Sequence, residues 1–569
     1  MRILMITHSF NSLAQRLHVE LRAHGHELSV ELDINDDVTM QAADLFQPDI
    51  VLAPFLKRRL PASLTRRYIC LIVHPGPEGD RGPAALDHSI LDQSRNWGVT
   101  VLQATAEYDA GPVWASAAFS MRRARKSSLY LNEVASAAAQ AVLEAIDRIK
   151  RAESPRLLDT AALALGWRGP IAAAIRAIDW NRDDTDTVLR KIASADGMPG
   201  CPAEVCARSL RLFNAREAEP VVGARAGTLI ARCGEAIAVA TCDGAVWIGH
   251  LIDAHSPHPF KRPAIAVLGE QAADLTVVSV DSPHGFKEIV YAEHGRAGVL
   301  TFSFYNGAMG TSACQRLLEA YRSALQRDTT ILILCGSTDH FCNGLDLNAI
   351  EAAASPADES LANITAMDDL SEAIIRTTDR LTIAAVGGNA GAGGVFLARA
   401  ADEVWLRSSV ILNPHYKDMG NLYGSEYWTY LLPLHAGAEN AERIRATRLP
   451  VGAAEALHLG LANRVFDASA DTFNSIAVEA AMAMTVDPDL PQRIVFKQQR
   501  RALDEAAKPL DDYRQEELSR MLRNFYGFDT SYHIARSNFV RKTRKARTPS
   551  VLAAHRRSPA ATASGGKPA

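Results

Sequence analysis

Short apolar runs alternate with stretches of helical period over roughly the first quarter of the chain. Runs at 2–7, 27–31, 50–53, 70–73 and 99–104 read as strands, and 12–23 reads as a helix capped by Asn11 or Ser12. Such alternation predicts a mostly parallel sheet with helices on both faces and ligands beyond the carboxyl ends of its strands. One long helix over 129–152 closes the block. A different rhythm follows. After a helix at 185–195, short alternating runs at 210–213, 227–233, 236–241 and 245–252 predict a small β barrel. The proline-rich stretch 256–263 reads as a linker. Alternating runs at 286–293 and 297–304 then flank His294-Gly295-Arg296, a hairpin signal. A helix at 311–326, a strand at 330–335, a long helix at 360–380 and a strand at 381–386 lead to a glycine cluster. Helical periods at 438–446, 453–459, 471–485, 492–506 and 510–524 fill most of the remainder. The pattern divides the chain into 1–160, 161–265, 281–545 and a disordered tail, 546–569.

The glycine cluster, Gly387-Gly388-Asn389-Ala390-Gly391-Ala392-Gly393-Gly394, lies between an apolar strand and a helical run. Backbone N–H groups can approach a ligand there without obstruction by Cβ, and the helix N-terminus adds unpaired donors. This suits a phosphate, or an oxyanion that forms during reaction. A tight, closely packed turn accounts for the same glycines. The dinucleotide fingerprint fails, because its third small residue would be Phe396, and no phosphate loop ending in Gly-Lys-Ser/Thr occurs.

Composition narrows the classes. Of the 569 residues, 47% are hydrophobic and 22% charged, which fits several globular domains. The formal net charge of −4 argues against a nucleic-acid binder. No run reaches membrane-spanning length, and Met1-Arg2-Ile3-Leu4 enters a strand pattern directly. The eight cysteines are scattered without metal-site spacing, which predicts reduced thiols, no metal and a cytoplasmic protein.

The fourth strand ends in His74-Pro75-Gly76-Pro77-Glu78-Gly79-Asp80-Arg81-Gly82-Pro83, and the fifth leads to Asp109-Ala110-Gly111-Pro112. Two such loops can face each other and set Asp109 beside His74, where a carboxylate raises imidazole basicity and fixes its tautomer. A loop histidine that only hydrogen-bonds fits the position as well. The His-Pro loop closing in Arg-Gly, the Asp-x-Gly-Pro loop and the later Ile178-Asp179-Trp180, helix, Pro-Gly and β-barrel order resemble formyl-tetrahydrofolate-using formyltransferases over about residues 1–265. The resemblance implies that His74 and Asp109 assist transfer of a formyl group from folate, with Gln15, Arg81 and Gly111 as cofactor-binding residues. One position departs from it. The family carries an Asn two residues before the His, and this chain has Ile72. Losing one oxyanion donor can cost ~10²–10³ in rate.

Farther on, Phe341-Cys342-Asn343-Gly344-Leu345-Asp346-Leu347, Asn306-Gly307-Ala308-Met309 and the glycine cluster together resemble the crotonase (enoyl-CoA hydratase/isomerase) superfamily. The implied fold is a spiral of ββα units, usually oligomeric, whose last helices cover the site or swap between subunits. The backbone N–H groups of Leu345 and Gly393 would form an oxyanion hole for a coenzyme A thioester. Asn306, Asn343, Gly344, Asp346 and Gly394 would line the cofactor site. The two acids of a hydratase are absent: Phe396 and His415 stand at their positions. Without them water is not activated, so a different reaction is expected. Tyr416 and Glu426 are the candidates for an acid/base pair, although a packing tyrosine and a helix-capping glutamate fit those positions too. The basic run 541–547 is either a solvated tail or a contact for coenzyme A phosphates.

The fold class expected is therefore α/β: a Rossmann-like formyltransferase domain, a small β barrel, then a crotonase-like ββα spiral with C-terminal helices. As a whole the chain resembles a family of NiFe-hydrogenase maturation factors. That resemblance implies production of the carbon monoxide ligand from formyl-tetrahydrofolate through coenzyme A, with a hydrogenase precursor or other maturation factors as partners. A formyltransferase for an amine or amino-sugar, and a coenzyme A-binding scaffold, are the competing readings.

Overall fold

The computed structural model describes residues 1–158, 165–221 and 223–557. Packing groups the chain into two units. One comprises Met1–Ala177, Arg190–Cys201 and the described residues from Arg544; the other comprises Ile178–Leu189 and Pro202–Thr543.

The first unit is built on one sheet of β1 (Arg2–Thr7), β2 (Glu27–Leu32), β3 (Ile50–Phe55), β4 (Ile69–His74), β5 (Asn96–Gln103) and β6 (Val113–Ser120), ordered β2-β1-β3-β4-β5-β6. The first four are parallel and the last two antiparallel. Ile3 to Ile6 are all buried, as expected of a central parallel strand covered on both faces. Asn11 is the cap of the helix Ser12–Ala23, accepting from Ala14 N. The strand β6 was not legible, because Val-Trp-Ala-Ser-Ala-Ala-Phe-Ser carries little strand propensity and is held by its ladder to β5. The helix expected over 129–152 starts at Lys126 and passes through a π turn, Tyr130–Val134, before Ala135–Lys150.

The tail expected to be disordered is ordered as far as Arg557. Val30 N donates to Leu552 O at 3.0 Å and Leu32 N to Thr548 Oγ1 at 2.9 Å, so the tail covers edge strand β2. The fully buried Glu31 carboxylate is bonded by Thr548, by His555 Nε2 at 3.0 Å and by Arg556 Nη2 at 2.7 Å. A composition-based reading misses this, because an open sheet edge and a buried acid demand partners wherever the chain can supply them. Residues 558–569 lie outside the described residues.

After Ile178–Leu189, the second unit carries a sheet of β7 (Cys201–Val205, all but its first residue in this unit), β8 (Arg208–Ala218), β9 (Leu229–Cys233), β10 (Ala236–Ala240) and β11 (Ala245–Ile252), ordered β7-β8-β11-β10-β9. The stretch expected as a linker is pinned instead. Its end forms β12 (Arg262–Pro263) on β11, Phe260 is buried, and Lys261 Nζ sits 4.3 Å from the Phe213 ring and 3.0 Å from Tyr305 Oη. Proline favours extended backbone, and extended backbone at a sheet edge pairs.

A ββα rhythm follows. The long sheet runs β13 (Ile289–His294), β14 (Ala297–Phe302), β15 (Ile331–Cys335), β17 (Leu381–Val386), β19 (Glu403–Arg407) and β22 (Arg464–Phe466). A second, short sheet interleaves with it: β16 (His340–Cys342), β18 (Asn389–Gly391), β20 (Ile411–Asn413) and β21 (Val451–Gly452). Each of β15, β17 and β19 thus hands the chain to a short strand of the other sheet. The glycine cluster is accordingly not a plain turn, since β18 runs through it. The expected helix 360–380 spans Pro356–Arg376, with the Ser355 side chain accepting from Asp358 N at its start. A final helix, Ser531–Val540, follows Leu510–Tyr526.

Candidate active sites

In the first unit β4 delivers His74 to the carboxyl edge of the sheet, where the chain turns back over it. His74 Nε2 lies 2.9 Å from Asp80 Oδ2, and Nδ1 lies 3.6 Å from Asp109 Oδ2. The expected Asp109 thus stands beside the ring, and the hydrogen-bonding partner is Asp80, which the sequence did not single out. Asp109, at φ +52°, stands off the opposite ring nitrogen and accepts from Gly82 N at 3.1 Å. Asp80 also accepts from Arg168 Nε and Nη2, at 3.1 and 2.7 Å. Burial works to raise the Asp80 pKa, but the bonds from His74 and Arg168 outweigh it and hold the carboxyl below its ordinary range. A methyl group on Gly76 would fall 2.4 Å from Asp80 Oδ2 and 2.5 Å from His74 Nε2, so only glycine lets the loop close over this pair. An anionic acceptor beside Nε2 favours the imidazole tautomer protonated on that nitrogen, which leaves Nδ1 facing Asp109.

The other residues singled out here take varied places. Gln15 Nε2 donates to Phe10 O at 3.0 Å, and Arg81 bonds Tyr108 O and Glu107. At Gly111 a Cβ would meet Gln103 O at 1.8 Å, so this glycine serves the close run of the Asp109 loop against β5.

In the second unit two backbone turns meet. Gly344 has φ +81°, and a methyl on it would lie 3.7 Å from Gly393 N. Asn343 N donates to Gly307 O at 2.7 Å and Asn343 Nδ2 to Asn306 O at 2.8 Å, which ties Asn306 (φ +58°) to this turn. Gly393 is the first residue of the helix Gly393–Arg399. Among the described residues neither Leu345 N nor Gly393 N has a protein acceptor. Ala392, just before, sits at φ +48° and ψ −124°, a costly conformation for a residue with a side chain. The Asp346 side chain caps the helix Leu347–Ala352, accepting from Asn348 N and Ala349 N. Gly394 is a packing residue, as a Cβ would fall 2.0 Å from Cys342 O.

Tyr416 and Glu426 are brought together. Tyr416 Oη donates to Glu426 Oε2 at 2.6 Å, and Ser425 N donates to the same oxygen at 3.2 Å. The other oxygen faces the glycine turn, since a methyl on Gly393 would lie 2.1 Å from Glu426 Oε1. Burial, then repulsion from Asp368, pushes the Glu426 carboxyl up to about 8. Burial and the neighbouring Glu426 also push the Tyr416 hydroxyl well above its ordinary value. Phe396 stacks on Tyr416 with ring centres 5.6 Å apart, an apolar wall at one hydratase-acid position. His415, at the other, is half-buried, with its Nδ1 lacking a protein partner.

Two further acids were missed. Asp368 accepts from Ser425 Oγ and Glu426 N, both at 2.8 Å; Glu517 accepts from Tyr427 N at 3.0 Å and Thr429 N at 2.8 Å. The signal was present, because each acid interrupts a buried helical stripe: Ile364, Met367, Ser371 and Ile375 around Asp368, Leu510, Met521 and Phe525 around Glu517. Burial raises Asp368 to about 7 and Glu517 to about 8.

Comparison with known proteins agrees with both halves. Residues 170–258 match the formyl transferase C-terminal domain, and residues 304–543 match the enoyl-CoA hydratase/isomerase family. The hydrogenase maturation factor HoxX of Bradyrhizobium diazoefficiens is 55% identical over 98% of this chain and 97% of its own. The chain belongs to the HoxX/HypX family of hydrogenase maturation factors. HypX from Aquifex aeolicus, solved in complex with tetrahydrofolic acid, superposes with a TM-score of 0.94 at 44% identity, covering 98% of this chain and 99% of that one. A methionyl-tRNA formyltransferase of Paraburkholderia phymatum is 24% identical over 41% of this chain and 65% of its own. The chain joins a formyltransferase-like part to a crotonase-like part. Among the described residues no helix is long and apolar enough to cross a membrane.

Proposed function

We propose that the chain makes carbon monoxide for a NiFe centre from formyl-tetrahydrofolate in two steps, with coenzyme A as formyl carrier. In the first, His74 Nδ1 takes the proton of the coenzyme A thiol. The sulfur attacks the formyl carbon, the carbon–nitrogen bond breaks, and the folate nitrogen recovers the proton from His74. Asp80 holds the imidazole and Asp109 faces the nitrogen that carries the proton in transit. Gln15, Arg81 and the Gly111 loop are the proposed folate-side contacts.

In the second step Leu345 N and Gly393 N hold the thioester oxygen. Glu426 takes the formyl proton, and the carbon–hydrogen electron pair becomes the carbon lone pair of carbon monoxide. The carbon–sulfur pair leaves with sulfur, which recovers the proton from Glu426, so nothing is consumed but the thioester. Tyr416 steadies the carboxylate through Oε2 and leaves Oε1 for the proton. A carboxyl titrating near neutrality can both accept and return it. Asn306 and Asn343 shape the turn beneath the thioester. The observation that carries this reading is the Glu426 carboxyl, 1% exposed, lying against Gly393 in a crotonase site stripped of both hydratase acids. Buried thioester chemistry also keeps water from diverting the formyl group to formate. The proposed setting is the cytoplasm, with a hydrogenase precursor or other maturation factors as the recipients.

Purified protein given formyl-labelled tetrahydrofolate and coenzyme A should transfer label to carbon monoxide trapped on haemoglobin. Label remaining in folate, or appearing only as formate, overturns the reading. Turnover without coenzyme A, on an amine acceptor, favours the amine formyltransferase instead.

A further inference from the structure

Glu426 and Tyr427 are consecutive non-glycine residues in left-handed conformation, at φ +61° and +59°. Such a corner persists only where its surroundings over-determine it. Here both backbone N–H groups end on buried carboxyls from separate helices. Asp368, on Pro356–Arg376, takes Glu426 N and Ser425 Oγ; Glu517, on Leu510–Tyr526, takes Tyr427 N, Thr429 N and the Thr429 hydroxyl. Both acids are fully buried. Arg514, a counter-charge that acts on Asp368, bonds Asp369 and Glu372 instead. Burying two acids around a third is a poor way to gain stability, and packed apolar residues do better. The arrangement does one specific thing: it fixes where the Glu426 carboxyl points.

We propose that Asp368 and Glu517 are positioning residues that grip the Glu426–Tyr427 corner and hold Glu426 Oε1 against Gly393, where the formyl proton of the thioester is removed. The proposal rests on Glu426 being the proton carrier of the second step. The groups facing Glu426 are Tyr416 and Ser425 from its own segment, Asp368 and Glu517 from the two helices, and the buried Cys314 and Cys342 thiols. Asp368 supplies the largest repulsion among them, so its charge also sets the pH at which Glu426 works.

The pair of substitutions Asp368→Asn and Asp368→Ala separates grip from charge. Asparagine keeps an acceptor for Glu426 N and a donor toward Ser425 Oγ while removing the charge. It should retain kcat for carbon monoxide release within a few-fold and move the acidic limb of the pH–rate profile down by about one unit. Alanine loses the grip and should lower kcat ~10²-fold at unchanged KM, as for a small misplacement of a reacting group. Hydrogen exchange at the Glu426 and Tyr427 amides, followed by mass spectrometry, should accelerate in Asp368→Ala and Glu517→Ala and stay slow in Asp368→Asn. Folate consumption at the first site reports that the chain is folded. Amides that remain protected in both alanine variants, or an Asp368→Asn profile that does not move, overturn the proposal. Should the wild type release no carbon monoxide, the functional reading fails, while the exchange pattern still decides whether the grip exists.

Discussion

Asp80→Asn is the sharpest test of the first site. Asp80 Oδ1 receives two bonds from Arg168 and Oδ2 one contact from His74. An asparagine there must choose. Two guanidinium donors outweigh one imidazole, so the carbonyl turns to Arg168 and the amide NH₂ turns to His74 Nε2. That donor forces the proton onto Nδ1, and the nitrogen needed as base is occupied. A wrong-tautomer substitution in a comparable carboxylate–histidine pair costs about 10⁴ in rate, which makes ~10³–10⁴, or about 4–5.5 kcal/mol, the expected loss. The folded unit also loses a charge-assisted bond on the order of 1.5–3 kcal/mol. Stopped-flow absorbance of folate release reads the rate, and nitrogen NMR of the His74 ring reads the tautomer. A rate within threefold of wild type, or a ring still protonated on Nε2, refutes the reasoning. Linkage gives a second check. The Asp80 pKa is depressed on folding, so its stability contribution is present above about pH 4 and is lost as pH falls through the folded value; Asp80→Asn should flatten that acid limb.

Three other outcomes follow from the second site and the tail. Gly393→Ala puts a methyl 2.1 Å from Glu426 Oε1, so it should abolish carbon monoxide release at least ~10²-fold while folate consumption persists, as two assays on one sample would reveal. Asp368, Glu426 and Glu517 are raised to about 7, 8 and 8, so the folded state holds protons that the unfolded chain releases above about pH 4. Stability from these groups is full below that pH and is lost as pH rises through 7–8. The melting temperature should therefore fall between pH 6 and 8.5, less steeply in Glu426→Gln, which should also consume folate yet release little carbon monoxide. Truncation after residue 547 strips Thr548, His555 and Arg556 from the buried Glu31, and should destabilise the first unit by about 3–5 kcal/mol; Glu31→Gln in the truncated chain should recover part of the loss in calorimetry.

Much of this molecule is written locally. The alternation of apolar runs and helical periods is enough for the parallel sheet of the first unit, because burial on both faces leaves a continuous apolar strand. The His74 loop, the Asp109 loop, the Asn343–Asp346 turn and the Gly387–Gly394 cluster are short-range features whose spacing sets backbone geometry directly. Phe396 and His415 are equally legible as the loss of hydratase acids. Sequence spacing does not say which groups from distant segments close on these. Arg168 reaches Asp80 across 88 residues, and Glu517 reaches Tyr427 across 90. Buried carboxyls take whatever donors the fold brings, and that choice depends on packing. So the chain's sequence determined the formyltransferase-like and crotonase-like parts and their backbone turns. The tertiary structure alone decided that Asp80 bonds His74, that the tail seals β2, and that two further buried acids take the N–H groups of the Glu426–Tyr427 corner.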